Sequence, residues 1–229
     1  MAEVFLLGTI HLDIKSAPLL KAAILDYKPD LITVEISSYS VRYRQAMYPK
    51  WCLCLKRALK QLPARKRCHP QVKLLKRQIT MPYEWSVAKR YADCENIPCL
   101  TIDSGELAKK ELPCWEKTLL AADNVKFLVK EPWFSLESHF LECHKLASKL
   151  WNKPDPGQLH KVLAFLKEPF WQKRERIMAT RLKRLSGLDC RLVHIGGWMH
   201  LLDGRGLPNL LCQLGEIVCE KKLISRLDD

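Results

Sequence analysis

Residues 4–13, VFLLGTIHLD, decide the fold, because an apolar run typical of a buried strand ends there in small and polar residues. A second stretch at residues 191–200, RLVHIGGWMH, repeats this arrangement near the other end of the sequence. Both carry a Gly-x-x-His motif, Gly8–His11 and Gly197–His200. Ligands bind at the carboxyl ends of strands in open parallel sheets, so the two histidines are the leading candidates for a functional site.

Outward from these two stretches, apolar runs alternate with segments of helical periodicity. The order predicts an α/β fold with a mainly parallel central sheet, flanking helices and a helical insertion, all within a single domain over residues 1–229. We predict strands at residues 4–10, 31–36, 99–102, 191–195 and 216–219, and helices at residues 16–27, 82–95, 169–185 and 207–214.

The net charge of +13 is concentrated in one segment. Between Glu35 and Glu84 there is no Asp or Glu, whereas twelve Lys and Arg residues lie there. We interpret residues 46–80 as a basic helical insertion with a short amphipathic helix at residues 51–62. Residues 36–83 could contact an acidic partner, an anionic membrane surface or nucleic acid. The alternative is a solvated helical flap, and nucleic acid ranks last because few aromatic residues are interleaved with the charges.

Features that would place the chain in a membrane or outside the cell are not visible in the sequence. No run approaches the roughly 18 apolar residues of a membrane span, and we see no signal peptide. A cytoplasmic location is therefore expected, with the ten cysteines present as reduced thiols. Oligomeric state cannot be predicted from these features.

Acidic residues at the predicted strand ends complete the candidate site. Glu35 lies in the apolar strand 31–36, where a carboxylate is costly unless it is paired or bound. Together with His11 and His200 it would offer two imidazoles and a carboxylate to a divalent metal such as Mn, Co or Zn, which activates water. Without a metal, a histidine held by a carboxylate can act as a general base. A buried structural ion pair is the alternative role of Glu35.

Two further acids each have a structural alternative. Glu84 lies in the first turn of the predicted helix 82–95, where an acid stabilises the helix dipole whatever its function. Asp103 follows the strand 99–102 and could cap the next helix. His139, Cys143 and His144 come close to metal-ligand spacing, but we interpret them as ordinary helix residues.

Several of these motifs resemble the signature of the TraB/PrgY and TIKI family, which is related more distantly to ChaN-type and erythromycin-esterase proteins. The matching residues are Gly8-Thr9-Ile10-His11, Val34-Glu35, Glu84 with Ala88 and Ala92, Ile97-Pro98, Ile102-Asp103, Arg174-Glu175-x-x-Met178-Ala179 and Gly197-Trp198-Met199-His200. Two departures are present. The family places an arginine closer to the strand-two glutamate than Arg42 lies here, and Glu175 stands where the family has Asp.

The resemblance implies a cleft lined by the paired motifs. It also implies metal-dependent peptidase activity as in the TIKI branch, or metal-free hydrolysis by histidine as in the esterase branch. Carried over by position, the catalytic candidates are His11, Glu35, Glu84 and His200, with His11, Glu35 and His200 as metal ligands. The substrate-binding or supporting candidates are Gly8, Arg42, Asp103, Arg174 and Gly197, the two arginines binding a substrate carboxylate or holding the acids in place.

These observations leave two functions open for the candidate site, and the binding of nucleic acid or an anionic surface by residues 36–83 ranks below both. The first is a metal-dependent, peptidase-like hydrolase acting on a peptide or small-molecule substrate. The second is a binding protein on the same scaffold that sequesters a peptide, heme or another small ligand without turnover.

Overall fold

The structure is a computed structural model that describes residues 3–130, 132, 135–203 and 208–227. Within these residues the elements, in chain order, are β1 (Glu3–Thr9), α1 (Ala17–Tyr27), β2 (Leu31–Val34), α2 (Ser38–Lys60), α3 (Pro70–Ile79), α4 (Tyr83–Glu95), β3 (Cys99–Thr101), α5 (Glu106–Glu111), α6 (Ala122–Leu128), α7 (Leu136–Asn152), α8 (Pro156–Val162), α9 (Pro169–Leu185), β4 (Arg191–Gly197), α10 (Leu210–Leu214) and β5 (Val218–Leu223).

The chain divides into two compact units. The sheet unit comprises Met1–Ile36, Tyr83–Ser104 and Phe140–Asp229, and the helical unit comprises Ser37–Pro82 and Gly105–His139. The predicted insertion at residues 46–80 lies wholly within the helical unit.

A five-stranded sheet in the order β3-β2-β4-β1-β5 forms the centre of the sheet unit. All its described strand pairs are parallel, which confirms the predicted α/β class with a central parallel sheet and flanking helices. Val4 and Leu6 of β1 and Leu192 of β4 are fully buried in one core cluster with Met178 and Leu182 of α9. Burial of such side chains stabilises the fold by about 1.5–3 kcal/mol each.

The strand register brings the two glycine-containing motifs side by side. Gly8 of β1 is paired with Gly196 of β4, and Thr9 with Gly197. On the other side of β4, the N–H of Glu35, just after β2, donates to the carbonyl of Ile195 (2.9 Å). The carboxyl ends of β1, β4 and β2 are therefore neighbours, and the residues that follow them share one edge of the sheet.

The helical unit is built on a second apolar core that includes residues of α2, α3 and α6. Helix α2 begins earlier than the predicted residues 51–62, because Ser37 caps it by accepting a hydrogen bond from the Ser40 N–H (3.0 Å). Trp51 and Leu55 lie on its buried face, and the ring of Trp51 lies 5.0 Å from that of Trp115. Leu53, an apolar residue of the predicted amphipathic helix 51–62, is exposed.

Other differences from the predicted elements occur at their ends. Strand β4 continues through both glycines to Gly197, where we expected it to end at Ile195. The last strand is Val218–Leu223 rather than residues 216–219. Of the predicted helix 207–214, Leu207 lies outside the described residues, and the rest forms α10 and the segment before it.

No helix in the described part of the chain is both long enough and apolar enough to cross a bilayer. The nine cysteines whose side chains the structure describes are free thiols.

Candidate functional site

The imidazoles of His11 and His200 lie against the same glycine. His11 follows β1, and His200 lies in the 3₁₀ turn Trp198–Leu201 directly after β4. A Cβ placed on Gly197 would lie 2.7 Å from His11 Nε2 and 3.3 Å from His200 Cδ2. Real side chains do not pack this closely, so the site requires glycine at position 197. The two Gly-x-x-His motifs therefore meet at one point of the sheet edge.

His11 is a half-exposed imidazole held by a buried carboxylate. Its Nδ1 lies 2.7 Å from Glu84 Oε1, and the two side chains are 49% and 4% exposed. The Thr9 hydroxyl donates to the same Glu84 oxygen (3.2 Å). Desolvation lowers the pKa of His11, but the adjacent Glu84 carboxylate outweighs it and leaves that pKa raised. Glu84, which could have served only the helix dipole, thus orients the ring of His11.

His200 is buried between two carboxylates. Its Nε2 lies 3.1 Å from Glu35 Oε1, its Nδ1 lies 2.6 Å from Glu175 Oε1, and its side chain is 7% exposed. The ring of Phe165 packs edge-on against it, with ring centroids 5.6 Å apart. Burial lowers the pKa of His200, but the two carboxylates outweigh this effect and raise it to about 10. His200 is therefore an imidazolium at neutral pH.

Glu35 is the ionised centre of the buried network. Arg174 Nη2 donates to its Oε1 (2.7 Å), and the Gly197 N–H donates to its Oε2 (2.7 Å). Burial raises the pKa of Glu35, but the charges of His200 and Arg174 prevail and hold it well below the usual range. Arg174 Nε also donates to Asp103 Oδ1 (3.1 Å). Asp103 thus pairs with an arginine, and the N-cap of the next helix is a glycine.

Sequence reasoning left two site residues out of the candidate set, Glu175 and His194. Glu175 contacts His200 through Oε1, and its Oε2 accepts a hydrogen bond from the Leu210 N–H (2.7 Å). His194 lies on β4, where its Nδ1 is 3.1 Å from the Thr33 hydroxyl. Burial is the main cause that lowers the pKa of His194 to about 4, so this ring is neutral. Two features of the sequence could have indicated these residues. His194 is a polar residue inside the apolar run of β4, and Glu175 is an acid next to Arg174.

Gly196 allows the buried groups to approach the backbone of β4. A Cβ at this position would lie 2.9 Å from His194 Nε2 and 3.0 Å from Glu35 Oε2. The two consecutive glycines therefore serve different neighbours: Gly196 accommodates His194 and Glu35, and Gly197 accommodates His11 and His200.

In this arrangement the side chains of the predicted metal ligands His11, Glu35 and His200 already contact charged protein groups. Each nitrogen of His200 faces a carboxylate, whereas a metal binds an imidazole nitrogen that carries no proton. The oxygens of Glu35 are already bonded to Arg174 and to the Gly197 N–H. Among the described residues, no group of three or more His, Cys, Asp or Glu side chains is arranged to hold a metal ion. Metal ligation by these residues stays a prediction.

The remaining candidates lie elsewhere. Gly8 faces Trp151, since a Cβ there would lie 2.8 Å from the indole ring. Arg42 is an exposed residue of α2 in the helical unit.

A second buried network contains Asp13, the last residue of the stretch 4–13. His144 Nε2 and Arg226 Nε lie 2.9 and 2.8 Å from Asp13 Oδ2. Burial raises the pKa of Asp13, but His144 and Arg226 outweigh it and leave that pKa lowered. His144, interpreted above as an ordinary helix residue, thus contacts a buried carboxylate. This network connects the end of β1 to α7 and to the C-terminal segment.

The comparisons with known proteins add no further constraint: no protein-family model, curated protein or solved structure matches the chain. The resemblance to the TraB/PrgY and TIKI family therefore rests on the motifs described above and stays a prediction.

Proposed function

We propose that the protein is a hydrolase of ester or amide bonds in which His11 acts as the general base toward water. The observation that carries this proposal is the half-exposed His11 imidazole, whose Nδ1 lies 2.7 Å from the buried carboxylate of Glu84. With Nδ1–H directed at Glu84, Nε2 is the nitrogen that accepts a proton. Hydrolases activate a nucleophile with the same pair of groups, a histidine base that is oriented by a carboxylate.

In this mechanism a water molecule transfers a proton to His11 Nε2 while its oxygen attacks the substrate carbonyl. When the resulting tetrahedral intermediate collapses, His11 returns the proton to the leaving alcohol or amine. The buried residues act by positioning: Glu35 accepts the Gly197 N–H and so holds the backbone against which His11 lies. His200 and Arg174 in turn keep Glu35 ionised.

The metal-free form of the reaction is proposed because the donor atoms of Glu35 and His200 are already paired with protein groups. The family resemblance implies a peptide substrate, and we include this substrate class in the proposal. Residues 36–83 remain a predicted contact surface for an acidic partner or an anionic membrane.

Hydrolysis of a panel of chromogenic esters and peptide amides tests the proposal. We expect His11→Gln to lower kcat/KM by roughly 10²–10⁴-fold, the contribution of a positioned general base. His160→Gln is the matched control, because this exposed histidine of α8 lies outside the site, and it is expected to leave the rate unchanged.

Metal content is measured in the same preparation before and after treatment with a chelator. Activity that survives removal of the metal is expected. Activity that disappears with the metal and returns on its addition would support the metal-dependent hydrolase instead. Equal rates for His11→Gln and wild type would refute the role of His11, and ligand binding without turnover would support the binding protein.

A further inference from the structure

A cavity of about 560 Å³ lies within the helical unit, and its lining residues belong to none of the motifs of the candidate site. Its volume falls in the range of roughly 300–1,000 Å³ that is typical of small-molecule sites. Its lining residues come from α2, from the 3₁₀ turn Ala64–Cys68, from α3 and from the C-cap residue of α3.

The base of this cavity is apolar. Leu55 and Ile79 are buried and belong to the core of the helical unit, and Leu59 packs against that core while partly exposed. An apolar group that entered the cavity would therefore extend an existing hydrophobic core. Burial of apolar surface provides most of the affinity at sites of this kind.

The rim of the cavity is strongly basic. Lys56, Lys60, Arg67 and Lys76 are exposed lining residues, and none of the described residues that line the cavity carries a carboxylate. Within the described residues, none of these four side chains forms an ion pair. The stretch between Glu35 and Glu84 contains no acid that could neutralise them locally. The site therefore combines an apolar base with several basic side chains that have no acidic partner among the described residues.

One of these cations is held in place by the backbone. Arg67 Nε donates to the carbonyl of Leu62 (3.1 Å), and its Nη2 donates to the carbonyl of Lys60 (3.3 Å). Because a guanidinium has five N–H donors, these two bonds orient the group and leave donor capacity for an anion.

We propose that this cavity binds a free anionic amphiphile, a small molecule with an aliphatic body and a terminal carboxylate. The aliphatic body contacts Leu55, Leu59 and Ile79, and the carboxylate pairs with Lys56, Lys76 and the oriented Arg67. Both halves of the ligand are needed, because an exposed ion pair alone contributes little and an apolar cavity alone does not select an anion. This proposal is independent of the proposed hydrolase function.

Calorimetric titration of the full chain with three probes tests the proposal: monomeric dodecanoate, 1-dodecanol and inorganic phosphate. We expect saturable binding of one dodecanoate per chain. The affinity for dodecanol, which has the same aliphatic body without the charge, is expected to be lower by roughly tenfold, as for the loss of about 1.4 kcal/mol. Phosphate, which lacks the aliphatic body, is expected to show no binding at the same concentrations.

Paired variants separate the two halves of the site. Lys56→Gln combined with Lys76→Gln is expected to weaken dodecanoate binding by roughly tenfold and to leave dodecanol binding unchanged. Lys73→Gln, an exposed lysine of α3 outside the lining, is the charge control. Leu59→Gln is expected to weaken the binding of both probes, and Leu53→Gln, at an exposed position of α2, is its control.

Any of the following results would overturn the proposal. The first is the absence of saturable dodecanoate binding by wild-type protein whose melting curve shows that it is folded. The second is equal affinity for dodecanoate and dodecanol, or equal dodecanoate affinity in the double lysine variant and wild type. The third is binding to phosphatidylglycerol vesicles without binding to monomeric dodecanoate, which would assign the basic residues to a membrane surface.

Discussion

The segments Gly8–His11 and Gly197–His200 have the same motif but different environments. Both begin in the last residues of strands of one parallel sheet, and those strands are paired directly with each other. The first histidine is 49% exposed and contacts one carboxylate, whereas the second is 7% exposed and lies between two. The motif therefore sets where a histidine lies, and the residues around it set its charge and its role.

The glycines of the two motifs differ in the same way. Gly8 leaves room for the ring of Trp151, which is a matter of packing. Gly197 leaves room for both imidazoles, so the glycine of the second motif serves the histidine of the first. Because a glycine of one motif accommodates the histidine of the other, the two motifs form a single cluster and are not two independent local structures.

The largest expected effect tests the difference between the two histidines. His200→Gln leaves Glu35 and Glu175 buried without the cation between them, and we expect the free energy of unfolding to fall by about 3–5 kcal/mol. His11→Gln, at a half-exposed position, is expected to change it by less than about 1 kcal/mol. Urea denaturation of both variants measures these values. Equal losses in the two variants would contradict the comparison.

The stabilising effect of His200 is expected to depend on pH. Its pKa is raised from 6.5 to about 10 in the folded protein, so its contribution is complete below pH 6.5 and is lost as pH rises through 10. The difference in unfolding free energy between wild type and His200→Gln should therefore shrink over this interval. Denaturation curves recorded from pH 6.5 to pH 10 check it, and a constant difference would show that His200 is not charged in the folded state.

Substitution of Gly8 is expected to lower mainly the stability, and substitution of Gly197 mainly the activity. Gly8→Ala places a Cβ 2.8 Å from the Trp151 ring, and such overpacking costs about 1–3 kcal/mol of stability. Gly197→Ala displaces the half-exposed imidazole of His11, so it should lower hydrolysis while reducing stability less than Gly8→Ala does. Thermal melting and kcat/KM of both variants test this expectation. A Gly197→Ala variant with full activity would rule out the positioning role of this glycine.

The smallest expected effect concerns the single carboxylate beside His11. Because Glu84 raises the pKa of His11, activity that needs the neutral imidazole should rise with pH through a value above 6.5. Glu84→Gln should move this limb of the pH profile to lower pH. Glu95→Gln, at an exposed position of the same helix α4, is the control. A profile that does not move in Glu84→Gln would separate Glu84 from the function of His11.

Much of the fold could be predicted from sequence because hydrophobic periodicity is a local property. Helix α9 occupies residues 169–185 as predicted, and strand β3 occupies three of its four predicted residues. The prediction was wrong for α2, where apolar spacing identified the buried face around Trp51 but not the start of the helix at Ser38. A capping serine followed by a polar stretch carries too little periodicity to locate that start.

The candidate site was predictable to the extent that its residues follow strands. His11, Glu35 and His200 are positioned by the ends of β1, β2 and β4, and each was a candidate on that ground. Two other residues of the cluster were not accessible in this way, because Glu175 lies on a helix and His194 lies inside a strand. Protonation states were equally inaccessible, since they depend on which charges lie nearby after folding.

The sequence by itself determined the parallel α/β architecture and the two Gly-x-x-His segments at strand ends, because apolar alternation and glycine positions are encoded locally. Only the tertiary structure decided that His200 is enclosed by Glu35 and Glu175 while His11 stays half-exposed beside Glu84. The physical reason is that charge and solvent access depend on side chains brought together from distant parts of the chain.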